Sequence, residues 1–172
     1  MTFPFKIINS KKLTEVKILT PEAFFDNRGE MWTFYDKEFQ IIEEKYEFKI
    51  SKFTKSKKGV LRGLHTDPFT WKYISCVQGE IMLAVVDYRK NSKNFLKHET
   101  FICNDTNHLS ILVPPNFANG HLCISDTCIF HYMQSYPEKY IDCQDQTTIK
   151  WNDTRINIDW PIKNPILSER DG

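Results

Sequence analysis

The strongest constraint on the fold is a succession of short runs rich in β-branched and aromatic residues, spaced at nearly regular intervals. In order they are EVKILT, GEMWTFYD, EFKISKFT, WKYISCV, EIMLAVVDY, HETFIC, LSILVP, HLCIS and CIFHYMQSY. Some alternate apolar with polar residues and others are continuously apolar, and turn-forming residues lie between them. That combination is the mark of an all-β sandwich or barrel. Only DKEFQIIEEKY, residues 36–46, has helical spacing, with Phe39, Ile42 and Tyr46 three and four residues apart. We find no internal repeat, low-complexity stretch or linker, so residues 1–172 read as one domain.

Glycine is scarce, and its placement is therefore informative. Gly79, between WKYISCV and EIMLAVVDY, reads as a hairpin turn. Gly63 and Gly120 stand instead beside histidines, His65 and His121, where a glycine within a strand marks a bulge or a close backbone approach. The segment VLRGLHTD (60–67) poses the sharper question. Strand alternation puts Leu61, Gly63, His65 and Asp67 on one face, with Arg62 and Leu64 on the other. Arg62 and His65 can serve one pocket only if a bulge or turn at Gly63 re-aims the chain.

Composition narrows the function. Hydrophobic residues make up 41% of the chain and aromatic residues 14%, which is too apolar for a disordered protein. A formal net charge of +1 offers no broad basic surface for nucleic acid or membrane, so an anionic ligand must be met by a few placed cations. No run approaches the roughly 18 apolar residues of a membrane span. The opening MTFPFKIINSKKLTEVKIL lacks the pattern of a secretory signal, so a cytoplasmic protein is expected. The five cysteines form no CxxC pair and read as reduced thiols, mostly buried, without zinc spacing.

Several motifs in order resemble the dTDP-4-dehydrorhamnose 3,5-epimerase family of nucleotide-sugar epimerases. They are FFDNRGEM (24–31), TKSKKGVLRGLH (54–65), VQGEIMLAVVDYRKNS (77–92), ILVPPNFANGH (111–121), FHYMQSYPEKY (130–140) and WNDTRINIDWPIKNPILSERD (151–171). The resemblance implies a cupin-type double-stranded β-helix, or jelly roll, with one or two short helices. It also implies a homodimer and chemistry that needs neither metal nor cofactor. The implied reaction inverts C3, C5 or both of a nucleoside-diphosphate 4-keto-6-deoxy sugar. The ketone acidifies each neighbouring C–H, a base removes the proton, and an acid returns one from the opposite face. By motif match the base is His65, oriented by Asp171, the acid is Tyr132, and Lys72 stabilises the enolate. Arg62 matches the diphosphate-binding arginine, and Arg28 is a second phosphate candidate that in the family reaches across a dimer interface. Asp87 and Arg89 read as a structural ion pair, with contact between Asp87 and the base histidine left open.

The chain also departs from the family pattern. Thr66 and Asp67 follow the histidine where an aromatic and a glutamine are usual, and Ile50 and Lys52 occupy polar ligand-binding places. Asn119 stands for the histidine of the A-H-G segment, with His121 two residues on, and Tyr136 and Tyr140 compete for one role. Asp67, Asn119, His121 and Tyr136 are accordingly expected as substrate contacts. The altered contacts most resemble a branch acting on GDP-6-deoxy-4-keto-heptoses for capsule synthesis, with dTDP-4-keto-6-deoxyglucose as the alternative substrate. Two other classes compete. One is a metal-dependent cupin using His65, Asp67 and His121, although the usual H-x-H pair is absent. The other is a sugar-binding jelly roll without catalysis.

Overall fold

The computed structural model describes residues 5–36 and 47–172, so the helix expected over 36–46 lies outside the described residues except for Asp36. The described residues form strands and loops, without helix. None of them forms a helix long and apolar enough to cross a membrane.

Among the described residues thirteen strands follow one another: β1 (Phe5–Asn9), β2 (Lys17–Pro21), β3 (Phe24–Asp26), β4 (Gly29–Met31), β5 (Phe48–Lys57), β6 (Leu61–Thr66), β7 (Trp71–Gln78), β8 (Glu80–Asp87), β9 (His98–Asn104), β10 (Ser110–Val113), β11 (Phe117–Cys123), β12 (Thr127–Ser135) and β13 (Thr147–Thr148). A six-stranded sheet runs β1-β2-β10-β7-β12-β5 and a five-stranded sheet β13-β6-β11-β8-β9, while β3 and β4 form a separate hairpin. All strand pairings are antiparallel. This is the expected cupin-type jelly roll, two sheets packed around a shared interior.

Alternation decides what enters that interior. Ile74 and Cys76 of β7, Ile81, Leu83 and Val85 of β8, Ile111 and Val113 of β10, and Phe130 of β12 make one core between the sheets. The intervening residues of β8 are buried too, because Met82, Ala84 and Val86 pack beneath Ile149, Ile156 and Trp160 of the C-terminal segment. Burial on both faces is why EIMLAVVD reads as continuous rather than alternating. The other sheet's outer face buries Phe5, Leu19, Tyr73 and Leu112. Four cysteines are buried and Cys143 is exposed, all as free thiols, and burial pushes the Cys76 thiol up to about 12.

Gly79 requires a correction. Strands β7 and β8 do not pair with each other but belong to different sheets, so Gly79 turns a corner between sheets instead of closing a hairpin. It has φ +74°, and a Cβ there would stand 2.2 Å from the Thr127 carbonyl. The corner therefore demands glycine as strictly as a hairpin would.

The C-terminal segment is docked on the entry to β6. Leu61 N–H donates to the Ile166 carbonyl at 3.0 Å and Ile166 N–H to the Gly59 carbonyl at 2.8 Å. Trp160 Nε1 donates to the Trp151 carbonyl at 2.9 Å, which satisfies its only polar atom. This docking carries residues 168–171 to the mouth between the sheets.

Candidate active site

The site begins with an irregularity in β6. Asn119 pairs with His65 and His121 with Arg62, so Gly63 and Leu64 together oppose Gly120 alone. Two residues facing one is a β-bulge, and it resets the alternation of the strand. Leu61 and Leu64 both enter the outer core, and Arg62 and His65 both line the cavity between the sheets. Gly63 has φ +115°, and a Cβ on it would lie 2.6 Å from Gly120 Cα; one on Gly120 would lie 2.9 Å from the Arg62 carbonyl. The two glycines are what let the strands meet across the bulge.

The cavity has a volume of about 320 Å³. The five-stranded sheet contributes Arg62, His65, Asn119 and His121. The six-stranded sheet faces them with Lys52, Lys72, Tyr132 and Gln134 over an apolar floor of Ile74 and Phe130. The segment after β12 adds Tyr140, Asp142 and Cys143, and the C-terminal end adds Ser168, Arg170 and Asp171.

Asp171 accepts a 2.6 Å hydrogen bond from His65 Nε2 and a 3.0 Å bond from the Ser168 hydroxyl. Burial works to raise the Asp171 pKa. The bond and charge of His65, with Ser168 and the Gly63 backbone N–H, outweigh it and hold the carboxyl below its ordinary value. A carboxylate on Nε2 fixes the imidazole tautomer and leaves Nδ1 as the proton acceptor. Lys72 donates to Asn119 Oδ1 at 3.0 Å and to the His65 carbonyl at 3.3 Å. Burial pushes its ammonium down to about 8; Asp67 opposes that fall and Arg170 adds to it. Tyr132 projects from β12 in the opposite sheet. Burial raises its phenol pKa against the opposing charge of Lys52, which keeps the hydroxyl a proton donor.

His121 stacks on Phe130 with ring centres 3.9 Å apart and planes 8° from parallel. Burial, then the charges of Arg62 and His65, push its imidazole down to about 3, with Asp171 opposing. Arg62 donates from Nε to the Ser56 hydroxyl at 3.2 Å and lines the cavity with the rest of its side chain. Between the competing tyrosines, Tyr140 lines the cavity, its hydroxyl 2.6 Å from Lys52 Nζ.

Three expected contacts lie elsewhere. Tyr136 stands outside the cavity, where its carbonyl accepts from Lys49 at 2.9 Å. Asp67 accepts from the backbone N–H groups of Phe69 and Thr70 at 3.0 and 2.7 Å, so its buried carboxylate caps a turn. Among the described residues no group of three or more His, Cys, Asp or Glu side chains is arranged to hold a metal ion. Arg28 lies on the exposed β3–β4 hairpin, paired with Asp26. Asp87 is bound by Arg89 at 2.7 Å and Ser92 at 2.6 Å, a structural pair as read.

Gln134, Ser168 and Arg170 line the cavity and were not anticipated. Gln134 had a usable signal, since it shares a strand face with Tyr132 two residues earlier. Ser168 and Arg170 had only their nearness to Asp171.

A family model described as dTDP-4-dehydrorhamnose 3,5-epimerase matches residues 10–172. A Shigella flexneri protein of that name is 36% identical over 165 residues, covering 93% of this chain and 90% of the relative. Among solved structures, a Legionella pneumophila dTDP-6-deoxy-D-glucose-3,5-epimerase in complex with dTDP-4-keto-L-rhamnose superposes with a TM-score of 0.89 at 29% identity, covering 97% of this chain and 89% of that one. A Bacillus anthracis dTDP-4-dehydrorhamnose 3,5-epimerase with TDP and PPi bound gives 0.88 at 31% identity, covering 97% and 96%.

Proposed function

The chain belongs to the dTDP-4-dehydrorhamnose 3,5-epimerase family, and we propose from that premise that this isomerase inverts C3, C5 or both of a dTDP-linked 4-keto-6-deoxy sugar. The observation that carries the proposal is the disposition of acid and base. His65, tied to Asp171 at 2.6 Å, faces the cavity from one sheet, and Tyr132 faces it from the other.

In the proposed reaction His65 Nδ1 takes the proton from the carbon beside the ketone. The C–H electron pair moves into the ring and charge collects on the C4 oxygen. Asp171 stabilises the imidazolium that results. The Lys72 ammonium, which is buried, meets the enolate oxygen, and a buried charge has its largest effect there. Tyr132 returns a proton to the opposite face of the same carbon; the His65 imidazolium then gives its proton to solvent and the tyrosinate takes one back, so both residues are restored. Arg62 holds the diphosphate through its forked donors. A nucleotide-sugar substrate supports a cytoplasmic location, and the exposed β3–β4 hairpin supports a homodimer.

Relatives with dTDP in their names support the dTDP-linked substrate. The departures at Ile50, Lys52, Thr66 and Asn119 keep GDP-6-deoxy-4-keto-heptose as the second arm of the test. Each sugar is incubated with the protein in deuterated water and followed by NMR. Deuterium is expected at C3, or at C3 and C5, of dTDP-4-keto-6-deoxyglucose. His65→Asn is expected to lower the exchange rate about 10²–10⁴-fold. Exchange confined to the GDP-heptose would replace the substrate, and exchange with neither would overturn the epimerase proposal.

A further inference from the structure

We propose that His121 is the sugar-specificity contact of this site, its Nε2 hydrogen-bonding the 2-hydroxyl of the substrate between the diphosphate and the carbon that is deprotonated. The inference rests on the roles proposed above for Arg62 and His65.

The first support is an unmet hydrogen bond. His121 is 3% exposed and lines the cavity, and its Nε2 has no hydrogen-bond partner among the described residues. A buried polar atom left in that state is costly, and one on a ring that lines the cavity is available for a ligand to complete. The stack on Phe130, at 3.9 Å and 8°, fixes the plane in which Nε2 can bond.

Position gives the second support. His121 pairs across the bulge with Arg62, and Asn119 pairs with His65. The diphosphate is carried on C1 of the sugar and the acidic proton on C3. C2, with its hydroxyl, is the atom between them, and His121, opposite Arg62, lies near enough to both Arg62 and His65 for their charges to act on it. Asn119 is already engaged, since Lys72 donates to its Oδ1 at 3.0 Å. Gln134 Oε1 is also buried and unpaired, but it stands on the opposite sheet, paired with Lys72.

The character of the group is the third. Burial and the adjacent Arg62 hold His121 neutral down to about pH 3. It therefore neither competes with His65 as a base nor adds a second cation. A neutral imidazole that donates or accepts one bond suits a hydroxyl.

Equilibrium binding separates this contact from the catalytic roles, because unreactive nucleotide sugars suffice. Calorimetric Kd values are compared for dTDP, dTDP-glucose and dTDP-2-deoxyglucose. The protein is expected to bind dTDP-glucose about tenfold more tightly than its 2-deoxy analogue, the size of one hydrogen bond. His121→Phe keeps an aromatic ring on Phe130 and is expected to lose that preference with dTDP affinity unchanged. The two losses are then not additive, as a direct contact requires. His121→Asn, run in parallel, is expected to recover part of the preference and covers the case in which His121→Phe does not fold. A tenfold preference that survives both variants, or no preference in the unmodified protein, would overturn the contact. Either outcome could stand beside normal deuterium exchange, so the contact can fail while the epimerase survives. Failure to bind dTDP at all would remove both the contact and the substrate it rests on.

Discussion

Lys72 is the side chain whose proton most directly limits the proposed chemistry. Its ordinary value is 10.5, and burial, helped by Arg170 and opposed by Asp67, brings it to about 8. Below that pH the ammonium is present to meet the enolate; above it the group is neutral and its charge is lost. The kcat/KM profile is thus expected to fall above about pH 8. Lys72→Arg retains its charge well above that range, so its alkaline limb should move upward. Lys72→Met should run about 10²–10³-fold slower without that limb. A limb at pH 8 that persists in Lys72→Arg would assign it to another group. The site residues were readable unequally. His65 and Asp171 lie 106 positions apart, and no local spacing could join them; only the order of motifs along the chain did. Asp67 read as a contact because it stands where the family pattern usually has a glutamine, but two backbone N–H groups claim its carboxylate. Gln134 was hidden in a strand whose tyrosine drew the attention.

At the scale of elements, the bulge in β6 is what turns a strand into a site. It was foreseeable as a condition, since Arg62 and His65 could share a pocket only if Gly63 broke the alternation. A test follows from the same geometry. Gly63→Ala would place a Cβ 2.6 Å from Gly120 Cα at a φ of +115°, and the backbone must move. We expect a loss of about 2–4 kcal/mol in stability, from a urea midpoint, because both strain and overpacking act there. Activity should fall further than stability explains, since Arg62 and His65 are re-aimed together. A folded Gly63→Ala variant with unchanged kcat/KM would show that the bulge is structural only. Gly79 shows the limit of local reading. Strand, glycine, strand is the same signal for a hairpin and for a corner between sheets, and only the partners of β7 and β8 tell them apart. GEMWTFYD likewise read as one strand, whereas only Gly29–Met31 pairs, and Phe34 instead packs on Tyr73 and His131.

For the whole molecule, the six-stranded sheet ends in β1 and β5, and apolar side chains stand exposed beyond its core. Phe24, Phe25 and Met31 on the β3–β4 hairpin are 60%, 69% and 70% exposed, and Phe53 on β5 is 64% exposed. Exposed aromatic side chains of this kind mark a surface meant to be covered. Sedimentation should therefore give a dimer, and Phe24→Ser with Phe25→Ser should shift it toward monomer without unfolding, since neither ring is in the core. Arg28 sits on the same hairpin, outside the cavity of its own chain. If the hairpin of each protomer completes its partner's diphosphate site, two weak variants must complement each other. Arg28→Ala supplies an intact His65, and His65→Asn supplies an intact Arg28. A heterodimer of the two holds one complete site and one doubly damaged site. With random pairing half of the dimers are mixed, so about a quarter of the unmodified activity should return on co-expression. Activity no higher than the mean of the separate variants would confine each site to a single chain and leave Arg28 a surface ion pair.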